Sequence, residues 1–380
     1  MSREILYDLC RRLLHNVEMH RPDMAEAVLQ VPASLYADPV QWEKEMQDIF
    51  LRMPLLTALS CDLPAPGDFV SYTLAGRPLL LVRGDDGTVR TFLNVCRHRG
   101  ARLADATRGQ TRRFVCPYHA WSYGLDGHLL GMPDRDSVGL DEVAGLTSLP
   151  TEERAGAVFS CLSPGAPLDL EAWLGDMLGS LQALRLDELY PYPVDTTLAS
   201  PNWKLAADGY LDGYHIGFLH KDTIGRKGIN NRNTYDLFGP HVRIGFANKG
   251  IRQVETLPPE QWNLPDCMSL VHYVFPNVSI SGGHGDTVML SRLFPGPDVA
   301  QSTTVQTQYF REPVEGDKVA AAEQKRQVYE QVVRDEDCAT IFGIGANLSA
   351  MSDAPILFGR NEPGNQRLHQ FIAQATGAKL

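Results

Sequence analysis

No run of apolar residues in this 380-residue chain reaches the roughly 18–20 that a bilayer-spanning helix needs. The first twenty residues mix Arg, Glu, Asp and His among the apolar ones and contain no signal-peptide core. Cysteine is scarce: there are seven, an odd number, spaced in a way that suggests no disulfide framework. Positive charge is in deficit, with 35 Lys and Arg against 46 Asp and Glu. The resulting −11 argues against nucleic acid and anionic membrane as partners. There are no internal repeats, no low-complexity tracts and no flavin or nicotinamide motif, so any electrons must come from separate donor proteins. What remains is an ordinary globular composition, long enough for two domains with cores of their own and expected in the cytoplasm.

Three patterns follow one another along the chain. Ile5, Leu6, Leu9, Leu13, Leu14 and Val17 recur at helical spacing until Pro22, and Ser34 to Phe50 forms a second helical stretch started by Asp38-Pro39. From about Leu51 the chain turns to short strands, with Asp85-Asp86-Gly87 and Asp126-Gly127 as hairpin turns, up to a Pro- and Gly-thick stretch at Cys161–Pro167. Leu168 to Leu189 is again helical. Residues 221–233 are polar and suggest a mobile loop. Tyr235 to Phe310 alternates as a set of antiparallel strands, and Gly316 to Met351 is a long helical segment with a kink expected near Gly343–Gly345.

The chemistry-bearing residues fall in two places. Cys96-Arg97-His98 and Cys116-Pro117-Tyr118-His119 are short Cys/His clips at hairpin ends. A zinc site of Cys and His tends to pair cysteines in one clip and histidines in the other. Two matched clips suit instead a [2Fe–2S] cluster with two Cys on one iron and two His on the other, the Rieske arrangement; a zinc ribbon is the alternative. The other five cysteines, Cys10, Cys61, Cys161, Cys267 and Cys338, fit buried thiols. Six arginines between Arg97 and Arg113 face a single acid, Asp105: either they pair locally or they form a dock for an acidic electron donor.

About one hundred residues downstream, Asn202-Trp203-Lys204 precedes Asp208, Asp212, His215 and His220. Positions 208, 212 and 215 share one stripe of a helix. His220 lies about 140° further round, so both histidines reach one metal only if the helix ends or distorts between them, which Gly217 permits. Two His and one carboxylate form a facial set suited to non-haem Fe(II) that activates O₂. A lone His on such a helix is more simply a satisfied core residue. Two His beside two Asp on an apolar segment are harder to explain so, because buried carboxylates need a cation or strong hydrogen bonds.

With the words Asn94 to Ala101, Cys116 to Trp121, Asn202-Trp203-Lys204, Asp212-Gly213-Tyr214-His215 and His220, the chain resembles the catalytic α subunit of Rieske non-haem iron oxygenases over nearly its whole length. It departs at Ala120, where the family usually has Gly; both are small, so little cost is expected. The resemblance implies an α+β fold: an all-β Rieske domain at 51–165, and a helix-covered antiparallel-sheet catalytic domain of helix-grip or START-like type at 166–380. Residues 1–50 are N-terminal helices packing on the latter. It implies Cys96, His98, Cys116 and His119 around the cluster, and His215 and His220 on a mononuclear iron. Asp212 is implied as an acid bridging His215 to His119 of a neighbouring subunit, and hence a ring-shaped homotrimer. The third ligand is expected from the acidic run Arg334 to Cys338, at Asp337 with Asp335 in reserve; alone, that run fits a solvated helix face better. Asp208 is the competing ligand.

The activity implied is terminal oxygenation of an aromatic or other hydrophobic small molecule, with O₂ as co-substrate and a ferredoxin or flavin reductase as donor. Oxidative N- or O-demethylation on the same scaffold is the alternative, although Asp rather than Glu at 212 favours hydroxylation. Tyr210, Tyr214 and Phe218 can form an aromatic cage for a cation, but core packing is preferred. Two readings from other classes stay open: a Rieske electron carrier without catalysis, and a zinc-stabilised binding protein.

Overall fold

A computed structural model describes residues 3–140, 143–351 and 354–380; Met1 and Ser2 of the expected first helix lie outside the described residues. The chain divides into two compact units. One comprises residues 50–172 with 186–188; the other comprises 1–49, 173–185 and 189–380.

In the first unit the alternating runs become short antiparallel strands. A five-stranded sheet orders Ser148–Leu149, Val89–Leu93, Arg77–Arg83, Asp68–Leu74 and Arg108–Gln110. Two three-stranded sheets accompany it: one joins Thr151–Arg154, Ala157–Ser160 and Leu55–Leu59, the other Phe114–Val115, Ser122–Tyr123 and Leu129–Gly131. Gly87 and Gly127 take φ of +77° and +83° at the two Asp-Gly turns, a region open to glycine at little cost. Phe69, Leu80, Phe92, Phe114, Trp121 and Tyr123 close a core that includes Cys96 and Cys116. Both cysteines therefore sit where burial of apolar surface fixes them.

The second unit is built on an eight-stranded antiparallel sheet. From Gly228–Phe238 the order runs through His241–Asn248, Met268–Val274, Val278–Gly282, Thr287–Pro295 and Ser302–Phe310, each strand beside the next in sequence. Both Tyr190–Pro191 and Thr196–Ser200 then pair with the last of these. The helix Arg3–Glu18 lays Leu6, Leu9 and Leu13 against Ala247, Met268 and Leu270 of the sheet. Each such buried leucine contributes roughly 1.5–3 kcal/mol. Ser34 to Phe50 is helical in pieces; the Asp38 side chain accepts from Val40 N at 2.9 Å and starts the part that follows Pro39.

Four expectations change. Residues 228–233, expected within a loop, are instead the first half of the edge strand Gly228–Phe238, where a register irregularity between Gly228 and Asn233 hides the alternation. The long C-terminal helical segment departs from α geometry not at Gly343–Gly345 but at Val333–Cys338, which is a π segment between Lys318–Val332 and Ala339–Asn347. The helix Pro363–Thr376, for which no element was expected, buries Leu368, His369 and Ile372. Cys61 is only partly buried, unlike the other four spare thiols.

Candidate metal centres and substrate cavity

The two Cys/His loops are near copies of each other. In the first, Cys96 N donates to Ala101 O and Gly100 N to Cys96 O, at 2.8 and 2.9 Å; in the second, Cys116 N donates to Trp121 O and Ala120 N to Cys116 O, at 2.8 and 3.0 Å. Gly100 has φ +79° and Ala120 +54°. The cost at Ala120 thus comes from its left-handed backbone, not from side-chain size, a correction to the sequence-based expectation. The loops bring the Nδ1 atoms of His98 and His119 to 3.1 Å, and Trp121 stacks on His98 at 4.7 Å. Cys96 Sγ lies 3.3 Å from the Tyr123 hydroxyl. One tetrahedral ion would gather all four donors tightly. Among the described residues, however, the set of three or more donors that closes within 4.8 Å is a different one. A histidine pair close together and not gathered with both cysteines is what a two-iron cluster requires.

That tighter set is His215, His220 and Asp337. Its construction starts at a buried ion pair: Lys204 Nζ lies 2.6 and 2.9 Å from the Glu45 carboxylate, which also accepts from Trp203 Nε1 at 2.8 Å. Asn202 caps the helix Trp203–Leu211 by accepting from Lys204 N at 2.8 Å. The helix stops at Asp212, whose φ and ψ are −81° and 113°, so the expected single stripe does not form. The break therefore precedes His215 instead of falling at Gly217. Gly213 makes it possible, because a Cβ there would meet Asn233 Nδ2 at 2.1 Å. A new short helix, Ile216–Leu219, then separates the two histidines.

Asp337 arrives on the π segment, and extra residues of this kind inside α-helices recur at functional sites. His215 Nε2, His220 Nε2 and Asp337 Oδ1 lie 3.2, 3.0 and 3.4 Å from one another. That triangle suits three donors each about 2.1 Å from one ion and all on one side of it. The other nitrogen of each ring meets a carboxylate. Asp212 Oδ2 is 3.0 Å from His215 Nδ1, and Glu336 Oε2 is 2.5 Å from His220 Nδ1. A carboxylate behind each imidazole fixes the tautomer that presents Nε2 as a metal donor. Burial works against charge on both rings, yet the flanking carboxylates win. Asp212 and Asp337 carry His215 up to about 9, and Asp337 and Glu336 raise His220. Burial likewise opposes ionisation of Asp337, but His215 and His220 hold it below the usual carboxylate range. The pocket is built to hold positive charge.

The remaining sequence-derived candidates lie elsewhere. Asp335 pairs at the surface with Arg334 at 2.8 Å. Asp208 accepts from the Tyr36 hydroxyl at 2.6 Å and lies 2.9 Å from His369 Nε2, in a buried cluster with Asn365. Tyr214 and Phe218 are neither core nor cage: they are 47% and 62% exposed and stack edge to face. Glu336 was not anticipated, because the π segment lets two consecutive acids grip opposite edges of one imidazole. A cavity of about 790 Å³ opens beside His215, His220 and Asp337 and is otherwise mostly apolar, with Leu270, Met289 and Val332 in its walls.

A unit with paired Cys/His loops and an antiparallel-sheet unit with a two-His, one-carboxylate set define a two-domain class of protein with two separate metal centres. Residues 184–378 match the family model for the ring hydroxylating alpha subunit (catalytic domain), and residues 54–150 match that for the Rieske [2Fe-2S] domain. The chain belongs to the ring hydroxylating alpha subunit family. The cofactors of these two domains are a [2Fe–2S] cluster and a mononuclear iron.

The chain is 32% identical over 203 residues to the glycine betaine monooxygenase oxygenase subunit of Chromohalobacter salexigens, covering 51% of this chain and 44% of that one. It is 33% identical over 211 residues to the large oxygenase component of the 2,4-dinitrotoluene dioxygenase system of a Burkholderia species, covering 52% and 46%. The chain thus spans about half the length of the curated relatives it matches. Its fold is similar to the quaternary ammonium Rieske monooxygenase CntA bound to gamma-butyrobetaine, with TM-score 0.76, 21% identity and 97% and 98% of the chains covered. It is also similar to naphthalene 1,2-dioxygenase from a Rhodococcus species, with TM-score 0.75, 20% identity and 98% of both chains covered.

Proposed function

We propose that the chain is the terminal oxygenase of a multi-component system, hydroxylating a hydrophobic small molecule with O₂ and electrons from a separate ferredoxin or flavin reductase. The observation that carries this reading is the His215–His220–Asp337 triangle in the wall of an apolar cavity. A pure electron carrier has no use for such a set, and a single structural zinc would need the four Cys/His donors of the two loops gathered as one tight set. Cys96, His98, Cys116 and His119 hold the cluster, and His215, His220 and Asp337 hold the iron. When bound, the cluster supplies single electrons and the iron supplies O₂ activation.

The chain's own residues set the conditions for that chemistry. Asp212 and Glu336 orient the two imidazoles through Nδ1. The apolar walls exclude bulk water and admit an apolar substrate. Asp212 also bridges to His119 of the partner subunit in a homotrimer. Aromatic exposure near both ends of that bridge supports the assembly, since Tyr118 beside His119 is 60% exposed and Phe218 beside His215 is 62% exposed. Arg99, Arg102, Arg112 and Arg113 are exposed, and among the described residues none of them forms an ion pair, which supports docking of an acidic donor. The domain limits are 51–165 for the cluster and 166–380 for catalysis, with 1–50 packed on the latter. Among the described residues no helix is long and apolar enough to cross a membrane, and a cytoplasmic location fits that.

The test is oxygen incorporation. With a ferredoxin, its reductase and ¹⁸O₂, products from an arene panel should carry label from dioxygen. Turnover that consumes electrons yet leaves every product unlabelled would defeat the proposal.

A further inference from the structure

The sheet forms the floor of the cavity. Ser281, Met289 and Gln308 stand opposite one another on three neighbouring strands, and all three line it. The polar groups around this row are paired within the protein. Ser281 hydrogen-bonds the Tyr329 hydroxyl, and Thr287 accepts from Lys325 Nζ. Gln306, two residues before Gln308 and on the same face of its strand, donates from Nε2 to the hydroxyls of Tyr210 at 3.1 Å and Ser291 at 3.2 Å. Gln308 differs. It is 3% exposed, and its Oε1 is buried without a hydrogen-bond partner. Across the strand pair it meets Met289, whose thioether has no proton to donate.

A buried acceptor left unpaired costs stability, and an apolar side chain of the same shape would not carry that cost. Folding therefore does not account for an amide at 308, whereas a ligand that reaches it does. The position is remote from the three-donor set. The helical segment that carries Asp337 runs alongside the strand Thr196–Ser200: Arg326 donates to Thr196 at 2.7 Å, and Cys338 lies against Ser200. Thr196 pairs with Gln306, and Ser200 with Ser302. Gln308 therefore lies toward the Arg326 end, and about 18 Å of helical rise separates Arg326 from Cys338.

We infer that the substrate is an elongated apolar molecule with a hydroxyl group at the end remote from the carbon to be oxidised, and that Gln308 Oε1 receives that hydroxyl. The inference rests on the proposed oxygenase reading for the identity of the reacting end. Its own content is the hydroxyl seat. A hydroxyl donates to Oε1 and also accepts from an amide NH₂ group, so it fits either orientation of the amide. The body of the molecule is apolar, because Leu270, Met289 and Val332 wall the cavity. A methyl ether of the same shape has no proton to give and leaves the acceptor unpaired. Gln308 is thereby a specificity-determining residue, selecting among the apolar molecules that the walls admit.

The test uses binding and stability, so it does not depend on turnover. The iron-loaded, cluster-containing protein is titrated calorimetrically, without oxygen, with ω-phenylalkanols from 4-phenylbutan-1-ol to 8-phenyloctan-1-ol. The matching methyl ethers are titrated alongside. At least one alcohol should bind about tenfold to a hundredfold more tightly than its ether. Gln308→Met replaces the amide by an apolar chain of similar length. In that variant the preference should vanish through weaker alcohol binding, while the ether binds at least as tightly as it does to the wild type. Without ligand, the variant should melt at a higher temperature than the wild type, because a buried unpaired acceptor has gone. A purely structural role for the amide predicts a lower melting temperature instead. Equal binding of alcohol and ether, a preference that survives in the variant, a variant that melts lower, or no binding across the series would overturn the inference. Iron content and the visible spectrum of the cluster are recorded on the same samples. Loss of either indicts the oxygenase reading, whereas a missing alcohol preference with both intact indicts the hydroxyl seat alone.

Discussion

Replacing Asp212 by Asn keeps the shape of the side chain and removes its charge. In the native site one carboxylate oxygen lies 3.0 Å from His215 Nδ1, and the other accepts from Tyr214 N at 2.6 Å, which holds the break between the two helices. An amide has only one acceptor oxygen, so it serves Tyr214 or His215 but not both. If it serves Tyr214, its NH₂ group faces the imidazole N–H and the orientation of His215 is lost. If it serves His215, the turn loses its acceptor and a neutral oxygen replaces a charged one. Losing a carboxylate behind a metal-binding imidazole typically weakens the metal about 10–100-fold, or roughly 1.4–2.7 kcal/mol. The assay has three parts: anaerobic Fe(II) titration of iron-depleted protein, the visible spectrum of the cluster, and coupled turnover at saturating Fe(II). Iron affinity should fall by that factor and the cluster spectrum should not change. Turnover should fall further than iron loss explains, because the proposed bridge to the partner subunit's His119 is broken as well. Near-normal coupled turnover at saturating iron would refute the bridging role, and unchanged iron affinity would refute the orienting role.

Other consequences are separable from that one. Asp208→Asn should destabilise the protein by about 1–3 kcal/mol, since Tyr36 and His369 lose a charged partner, while iron content holds; a folded variant that lost its iron would restore Asp208 as a ligand. Ala120→Gly should raise the melting temperature of the cluster-containing protein, by relief of a left-handed backbone worth up to about 1 kcal/mol; a lower melting temperature would show that the loop favours the alanine. Burial, with Asp212 and Asp208 nearby, lifts Glu362 from the ordinary 4.5 to about 7. Its protonated form is favoured in the folded state, so its contribution to stability is complete below about pH 4.5 and is lost as pH rises through about 7. Glu362→Gln should therefore flatten the decline in stability between pH 5 and 8 by about 1–3 kcal/mol in urea unfolding, and parallel pH profiles would count against the shift.

The strand pairs around Asp85-Asp86-Gly87 and Asp126-Gly127 were legible because turn chemistry and alternation are local. The first half of the edge strand, 228–233, was not, because its irregular register breaks the alternation and its polar residues look like a loop. His215 and His220 suggested a metal only on condition that the helix broke between them. It breaks earlier, at Asp212 and Gly213, where a side chain from a distant strand leaves no room for a Cβ. Residue type shows no such contact. Asp337 was separable from Asp335 only through family likeness, because both lie on one acidic run. The π segment that turns Glu336 and Asp337 toward His220 has no signature in residue spacing.

The central claim, that one chain holds a two-iron cluster and a separate mononuclear iron, is tested most directly by iron and acid-labile sulfide analysis of anaerobically prepared wild type and of His215→Ala. The account predicts about three iron and two sulfide per wild-type chain, falling to about two and two in the variant with the visible spectrum of the cluster intact. Two iron in both proteins, or a variant that loses the cluster and keeps one iron, would contradict it.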